Sequence, residues 1–165
     1  MSRQAQNNAN VFPMNARPAA RATIQGDMAH QNLHGTVDFF PYQQGTLVLV
    51  RMRGLPDDPD PCAPNIYAMH IHAGGDCGGD MQMPFSGAGG HYNPNDCPHP
   101  AHAGDMPPLF GNRGYAWQSY YTERFVPREV VGKTVIVHGQ RDDFSTQPAG
   151  DAGSRIGCGL IQSYR

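Results

Sequence analysis

The chain has few charged residues, no basic patch and no long apolar run. Of its 165 residues, 16% are charged, against ~25% in typical domains, and the formal net charge is −2. The lysines and arginines are scattered mostly singly, which is atypical of proteins that bind nucleic acid or anionic membranes. No segment approaches the ~20 apolar residues of a membrane-spanning helix, and the first thirty residues contain no secretory apolar core. We therefore predict no nucleic-acid or membrane partner and a cytoplasmic location, with export by another route left open.

Helical periodicity is also lacking. No segment keeps an apolar period of about 3.6 residues over three turns, whereas short alternating segments, bounded by residues typical of turns, recur along the chain. The predicted strands cover residues 20–25, 34–40, 46–53, 65–72, 116–125, 133–139 and 155–161. Two long loops, 73–114 and 140–154, interrupt them, and such loops on a rigid β-scaffold commonly carry functional sites. The pattern predicts an all-β antiparallel sandwich or barrel.

The composition predicts one domain with a tail. Residues 1–19 are rich in Asn, Gln, Arg and Ala and show neither strand nor helix period, so we predict a flexible polar tail there. Residues 20–165 are then long enough for one domain with its own core. The chain contains four cysteines, but cytosolic thiols are normally reduced, so a disulfide requires a specific reason.

The histidines are clustered. In AMHIHAGGDC, residues 68–77, the side chains of His70 and His72 would project from the same face of a strand and could hold one metal ion. The segment AGGHYNPNDCPHPAHAGD adds the complete tetrahedral zinc set of three imidazoles and a carboxylate, His91, His99, His102 and Asp105. Another histidine, His138, ends the alternating segment KTVIVHG. Each pattern alone is also compatible with solvated or hydrogen-bonded histidines.

Four segments, in order, resemble the copper/zinc superoxide dismutase family. They are MHIHAGGDC, AGGHYNP, HAGDMP, and VIVHGQRDD followed by AGDAGSRIGCG, and the resemblance runs from about residue 20 to residue 161. The chain looks like a short-loop, bacterial-type member. The resemblance implies a Greek-key β-sandwich or flattened eight-stranded barrel of immunoglobulin-like architecture. It also implies copper and zinc as cofactors and an oxidoreductase that converts superoxide to oxygen and hydrogen peroxide by Cu(II)/Cu(I) cycling.

The resemblance implies a ligand set for each metal. The positions matching the copper ligands are His70, His72, His91 and His138. The positions matching the zinc ligands are His91, His99, His102 and Asp105, so that His91 is shared by both metals. His30 and His34 match no ligand, and we expect them at exposed positions in a turn or at a strand start.

Further roles follow from the same resemblance. Arg155, in GSRIGCG, matches the arginine that binds superoxide beside copper, and we expect His91 to take up a proton and pass it to the reduced product. These two are the predicted catalytic residues. Asp142 matches the carboxylate that links a copper-ligand histidine to a zinc-ligand histidine, here predicted to be His70 and His99.

The cysteines include one pair that the family bridges. Cys77 and Cys158 match the family's disulfide, and a second bridge between Cys62 and Cys97 is left open against two free thiols.

The chain departs from the family in its zinc loop. Only Pro100 and Ala101 separate His99 from His102, where the family loop is longer, so zinc occupancy is left open. The alternative function is a non-enzymatic copper- or zinc-binding or storage domain on the same fold. Arg155 beside a complete copper set favours catalysis, because storage would not require it. The sequence leaves a homodimer open.

Overall fold

A curled antiparallel sheet makes up most of the protein. The structure, a computed structural model, describes residues 17–164. The strands are β1 (Ala20–Gly26), β2 (His34–Tyr42), β3 (Gly45–Arg53), β4 (Ile66–Tyr67), β5 (Met69–His72), β6 (Leu109–Phe110), β7 (Tyr115–Thr122), β8 (Thr134–His138) and β9 (Arg155–Ser163). Seven of them form one sheet in the order β5-β8-β9-β1-β2-β3-β7, and β4 pairs with β6. The predicted all-β class is confirmed.

Helix is minor, as predicted. The described chain contains a 3-10 turn at Ser86–Ala88 and a single-turn helix, α1, at Pro127–Val130. Proline suits the start of α1 because its fixed φ is helical and its missing N–H would have no partner there. The Glu129 side chain accepts a hydrogen bond from the Val126 N–H at 2.9 Å. Within residues 17–164, no helix is long and apolar enough to cross a membrane.

The strand predicted at residues 65–72 is interrupted. β4 pairs with β6, whereas β5 pairs with β8, and Ala68 lies between them. The Ala68 N–H donates to the Gln140 carbonyl, and the Ala68 carbonyl accepts from the His138 N–H. The short β6 falls inside the predicted loop 73–114. If β4 and β5 are counted as one interrupted strand, the described chain has the eight strands that the family resemblance implies.

Strand alternation separates the core from the histidines. Met69 and Ile71 on β5, with Val135 and Val137 on β8, belong to the main apolar core. The intervening His70 and His72 are equally buried but face the other side of β5. The histidines therefore lie outside the core, at one edge of the sheet, beneath the two long loops.

The Cys77–Cys158 disulfide, implied by the resemblance, is present in the structure. It joins the loop after β5 to β9 across 81 residues. Cys62 and Cys97 are free, so the second bridge that the sequence left open is not formed. The predicted tail, residues 1–19, lies outside the described residues except for 17–19, and the domain boundary stays a prediction.

Candidate metal centre

The structure brings together all seven residues predicted to bind metal. They form two groups that share His91: His70, His72, His91 and His138 in the first, and His91, His99, His102 and Asp105 in the second. Within each group, one ligand atom from every residue lies within 4.8 Å of the others. We refer to these as the four-histidine group and the three-histidine group.

The backbone of loop 73–114 runs back along β5 and delivers the second set of ligands. His91 forms an isolated antiparallel bridge with His72, and Asp105 forms one with His70. The Ile71 N–H donates to the Gly104 carbonyl at 2.8 Å. An added Cβ at Gly104 would lie 2.3 Å from the Ile71 carbonyl oxygen, so only glycine permits this approach. β5 therefore sets the positions of both groups.

Hydrogen bonds orient the rings of the four-histidine group. The His70 Nε2–H donates to Asp142 Oδ2 at 2.8 Å, and the His72 Nδ1–H donates to the Gly89 carbonyl at 2.8 Å. The opposite nitrogens then carry lone pairs, and His70 Nδ1 lies 3.2 Å from His138 Nε2. Two imidazole lone pairs at this distance repel each other unless a proton or a cation lies between them.

The three-histidine group has the dimensions of a zinc site. Around Asp105, His91 Nδ1 lies 2.8 Å from Oδ1, while His99 Nδ1 and His102 Nδ1 lie 3.1 Å and 3.3 Å from Oδ2. The Nδ1 atoms of His91 and His102 are 3.2 Å apart. A tetrahedron with bonds of about 2.0 Å has edges of about 3.3 Å, close to the two separations from Oδ2 and to the separation of the two ring nitrogens.

Three ring nitrogens are buried without a hydrogen-bond partner among the described residues: His72 Nε2, His91 Nε2 and His99 Nδ1. Such atoms are rare in folded proteins because an unpaired buried polar atom is costly. All three belong to the two groups and would be satisfied by a bound cation. Imidazole nitrogens suit copper, and three imidazoles with a carboxylate suit zinc, so the residues fit both metals.

Burial keeps three imidazoles of the four-histidine group neutral. It lowers the pKa of His70 and of His72 to about 2, and that of His138 to about 4. Neutral imidazole is the form that binds metal. Burial alone would raise the pKa of Asp105, but the hydrogen bond and charge of His91, with neighbouring histidine charges, lower it to about 2. At neutral pH the imidazoles of His70, His72 and His138 are therefore neutral and the Asp105 carboxyl is ionised.

One buried carboxylate joins the two groups. Asp142 Oδ2 accepts from His70, and Asp142 Oδ1 accepts from the His99 Nε2–H at 2.9 Å and from the Phe144 N–H at 2.7 Å. These bonds hold the Nδ1 lone pairs of His70 and His99 toward their groups. The structure thus places Asp142 between the two histidines named from the sequence.

Arg155 is held beside the four-histidine group by two backbone carbonyls. Its Nη1 donates to the Phe85 carbonyl at 2.7 Å, and its Nη2 donates to the Gly89 carbonyl at 2.6 Å. The same Gly89 carbonyl accepts from His72, and the Arg155 charge contributes to the lowered pKa values of His72 and His138. Sequence reasoning missed both carbonyls, because every residue carries one and no side-chain pattern marks these.

The two remaining histidines lie away from the groups. His34 is exposed at the start of β2, as expected. His30 is half-buried rather than exposed, because its Nδ1 contacts Asp27 Oδ1 at 2.7 Å.

Comparisons with known proteins find one family. The family model described as "Copper/zinc superoxide dismutase (SODC)" matches residues 33–161. The chain is 33% identical to "Superoxide dismutase [Cu-Zn]" of Deinococcus radiodurans, covering 86% of this chain and 85% of that one. It is 30% identical to "Superoxide dismutase [Cu-Zn] 2" of Aquifex aeolicus, over 78% of each. Its fold is similar to that of a Cu/Zn superoxide dismutase from Brucella abortus, with a TM-score of 0.71, 25% identity, and coverage of 87% and 99%.

Proposed function

The chain belongs to the copper/zinc superoxide dismutase family, and from this we propose how its residues divide the work of a superoxide dismutase. It is an oxidoreductase that uses copper and zinc and acts on superoxide. We assign copper to the four-histidine group and zinc to the three-histidine group. The observation that carries the catalytic assignment is the Gly89 carbonyl. It accepts hydrogen bonds from both Arg155 and His72, so it holds the guanidinium beside the four-histidine group.

Arg155 is proposed to bind the substrate anion. A guanidinium has five N–H donors, and the carbonyls of Phe85 and Gly89 occupy two of them, which leaves three for superoxide. Burial lowers the pKa of Arg155, yet an arginine remains protonated at neutral pH. The fixed positive charge would attract superoxide and hold it beside the four-histidine group.

His91 is proposed to supply a proton. Copper held by the four-histidine group would supply the electron exchange of Cu(II)/Cu(I) cycling, by which one superoxide is oxidised to dioxygen and a second is reduced, with two protons, to hydrogen peroxide. His91 Nδ1, the atom that faces the zinc group, lies 2.8 Å from Asp105 Oδ1, while its Nε2 is buried without a hydrogen-bond partner in the described chain and is free to take up a proton. We assign to Nε2 the proton that passes to the reduced product. Asp142 would keep the neighbouring rings in orientation.

The test is metal analysis of the purified protein together with a superoxide-decay assay. We expect the wild type to bind both metals and to dismutate superoxide. His138→Ala should lose copper and activity, because it removes one of the four nitrogens. Arg155→Ala should keep copper but lose about 10- to 100-fold in rate, because it removes only the anion-binding charge. If the copper-loaded wild type is no faster than His138→Ala, the chain is a metal-binding or storage domain instead.

Location and assembly stay predictions. The sequence predicts a cytoplasmic protein, but the Cys77–Cys158 disulfide argues for an oxidising compartment, because cytosolic thiols are kept reduced. Cell fractionation with immunodetection would decide between the two. Sedimentation of the metal-loaded protein would test the homodimer that the sequence leaves open.

A further inference from the structure

The turn at residues 98–105, called the zinc turn below because it carries His99, His102 and Asp105, has little structure of its own. Within this turn the Ala101 N–H donates to the Pro98 carbonyl at 2.8 Å, the Asp105 N–H donates to the His102 carbonyl at 3.2 Å, and the His102 N–H donates to Asp105 Oδ2 at 3.0 Å. The turn belongs to no strand or helix. With so few internal hydrogen bonds, such a short turn needs support from elsewhere in the chain if it is to hold ligands in a fixed geometry.

Gln147 supports the turn from the loop after β8. Its Oε1 accepts from the His99 N–H at 2.9 Å, and its Nε2 donates to the His99 carbonyl at 2.7 Å. One side-chain amide thus holds both backbone polar groups of a zinc-group residue. Asp142, from the same loop, holds the ring of His99 at the other end of the side chain.

Arg124 supports the turn from the other side. Its Nη1 donates to the carbonyls of Pro100, His102 and Asp105 at 3.0, 3.1 and 3.4 Å. Among the described residues its guanidinium has no carboxylate partner, so these carbonyls are its main polar contacts. The backbone at Arg124 is held in place because the next residue, Phe125, is 3% exposed and belongs to the core.

We propose that Arg124 and Gln147 are positioning residues that hold the zinc turn in its metal-binding geometry. They would take over the support that a longer loop between His99 and His102 provides in the family. This rests on the proposed assignment of zinc to the three-histidine group. Within the described chain, neither side chain makes a hydrogen bond to a residue of the four-histidine group. Their loss should therefore weaken zinc binding selectively.

The test compares variants of similar volume that lack the hydrogen bonds. Arg124→Met and Gln147→Met are measured against two controls, Arg128→Met and Gln162→Met, because Arg128 and Gln162 are exposed and their side chains make no hydrogen bond within the described chain. Zinc affinity is measured by chelator competition, the geometry of the site by the visible spectrum of the cobalt-substituted protein, and copper affinity separately. Arg124→Lys, which keeps the charge and a donor, serves as the rescue variant.

We expect zinc affinity to fall about 10- to 100-fold in Arg124→Met and in Gln147→Met, with an altered cobalt spectrum. Copper affinity should change less than about threefold, both controls should match the wild type, and Arg124→Lys should recover part of the loss. Zinc affinity within about threefold of the wild type, or equal losses of zinc and copper, would overturn the positioning role. A wild type that takes up neither zinc nor cobalt would overturn the site assignment and this proposal together.

Discussion

Replacing Gly150 with alanine should displace the carboxylate that joins the two metal groups. Gly150 has φ +69°, and an added Cβ would lie 2.0 Å from Asp142 Oδ1 and 2.7 Å from His99 Nε2. Because Cβ atoms do not approach other heavy atoms within 3.0 Å, the carboxylate oxygen must move by about 1 Å. The 2.9 Å hydrogen bond from His99 to Asp142 would then break.

Gly150→Ala should lower both the folding stability and the zinc affinity, and the same substitution at a second glycine, Gly132, separates the two effects. The left-handed backbone conformation costs an alanine about 1–2 kcal/mol in folding free energy. Loss of the bond that orients His99 should lower zinc affinity by a further factor of about 10 to 100, or about 1.4–2.7 kcal/mol. Gly132 has φ +84° with nothing within 4 Å of an added Cβ, so Gly132→Ala carries the backbone strain without the clash.

The assay is zinc competition with a chelator, together with urea unfolding of the metal-free forms. Without metal, Gly150→Ala should lose more stability than Gly132→Ala, because the clash with Asp142 adds to the backbone strain, and only Gly150→Ala should lose zinc affinity. If Gly150→Ala and Gly132→Ala bind zinc equally well, the Asp142–His99 bond does not set zinc affinity, and the reasoning is wrong.

Three further predictions use the rest of the site. Replacing Cys77 and Cys158 with serine should lower the free energy of unfolding of the metal-free protein by about 4.5 kcal/mol, from the entropy of closing 81 residues; a urea-unfolding loss below about 1 kcal/mol would contradict this. The metal-free protein should lose stability as pH falls below about 6.5. In the unfolded chain His70, His72 and His138 bind a proton near that pH, whereas in the folded protein their pKa values are about 2, 2 and 4. The free energy of unfolding should fall by up to about 1.4 kcal/mol per pH unit per histidine, and urea midpoints that rise on acidification would refute this. The dismutation rate should fall only weakly with salt, because the long loop after β8 contains no lysine or glutamate; a steep fall with ionic strength in pulse radiolysis would count against this.

The candidate ligands could be predicted from sequence because few side chains bind metal and β-strands fix their direction. A period of two places His70 and His72 on one face of β5 and the core residues Met69 and Ile71 on the other, whatever the rest of the fold. The position of β6 could not be predicted in the same way. Its two residues carry no alternation of their own, and they form a strand only because β4 lies opposite.

The groups that hold the ligands were beyond prediction for a different reason. Gly89 contributes only a backbone carbonyl, which has no sequence signature. Gln147 lies 48 residues from His99, and Arg124 lies 22 residues from His102, in segments with no motif of their own. Their roles depend on the packing of the zinc turn against the loop after β8 and against the segment that follows β7. The spacing of residues along the chain does not predict that packing.

Residues 77–91 of the loop after β5 connect the Cys77–Cys158 disulfide, Arg155 and the three-histidine group. The disulfide from Cys77 fixes the start of this segment to β9. The backbone bridge between His91, which belongs to the three-histidine group, and His72 fixes its end against β5. The carbonyls of Phe85 and Gly89 lie between these two anchors, and Gly89 is only two residues from His91. Because those carbonyls hold Arg155, and the Gly89 carbonyl also accepts from His72, a shift at either anchor would move the charge that we propose binds the substrate. Disulfide reduction and zinc loss should therefore act on the rate through a common element, and their effects should be non-additive when combined.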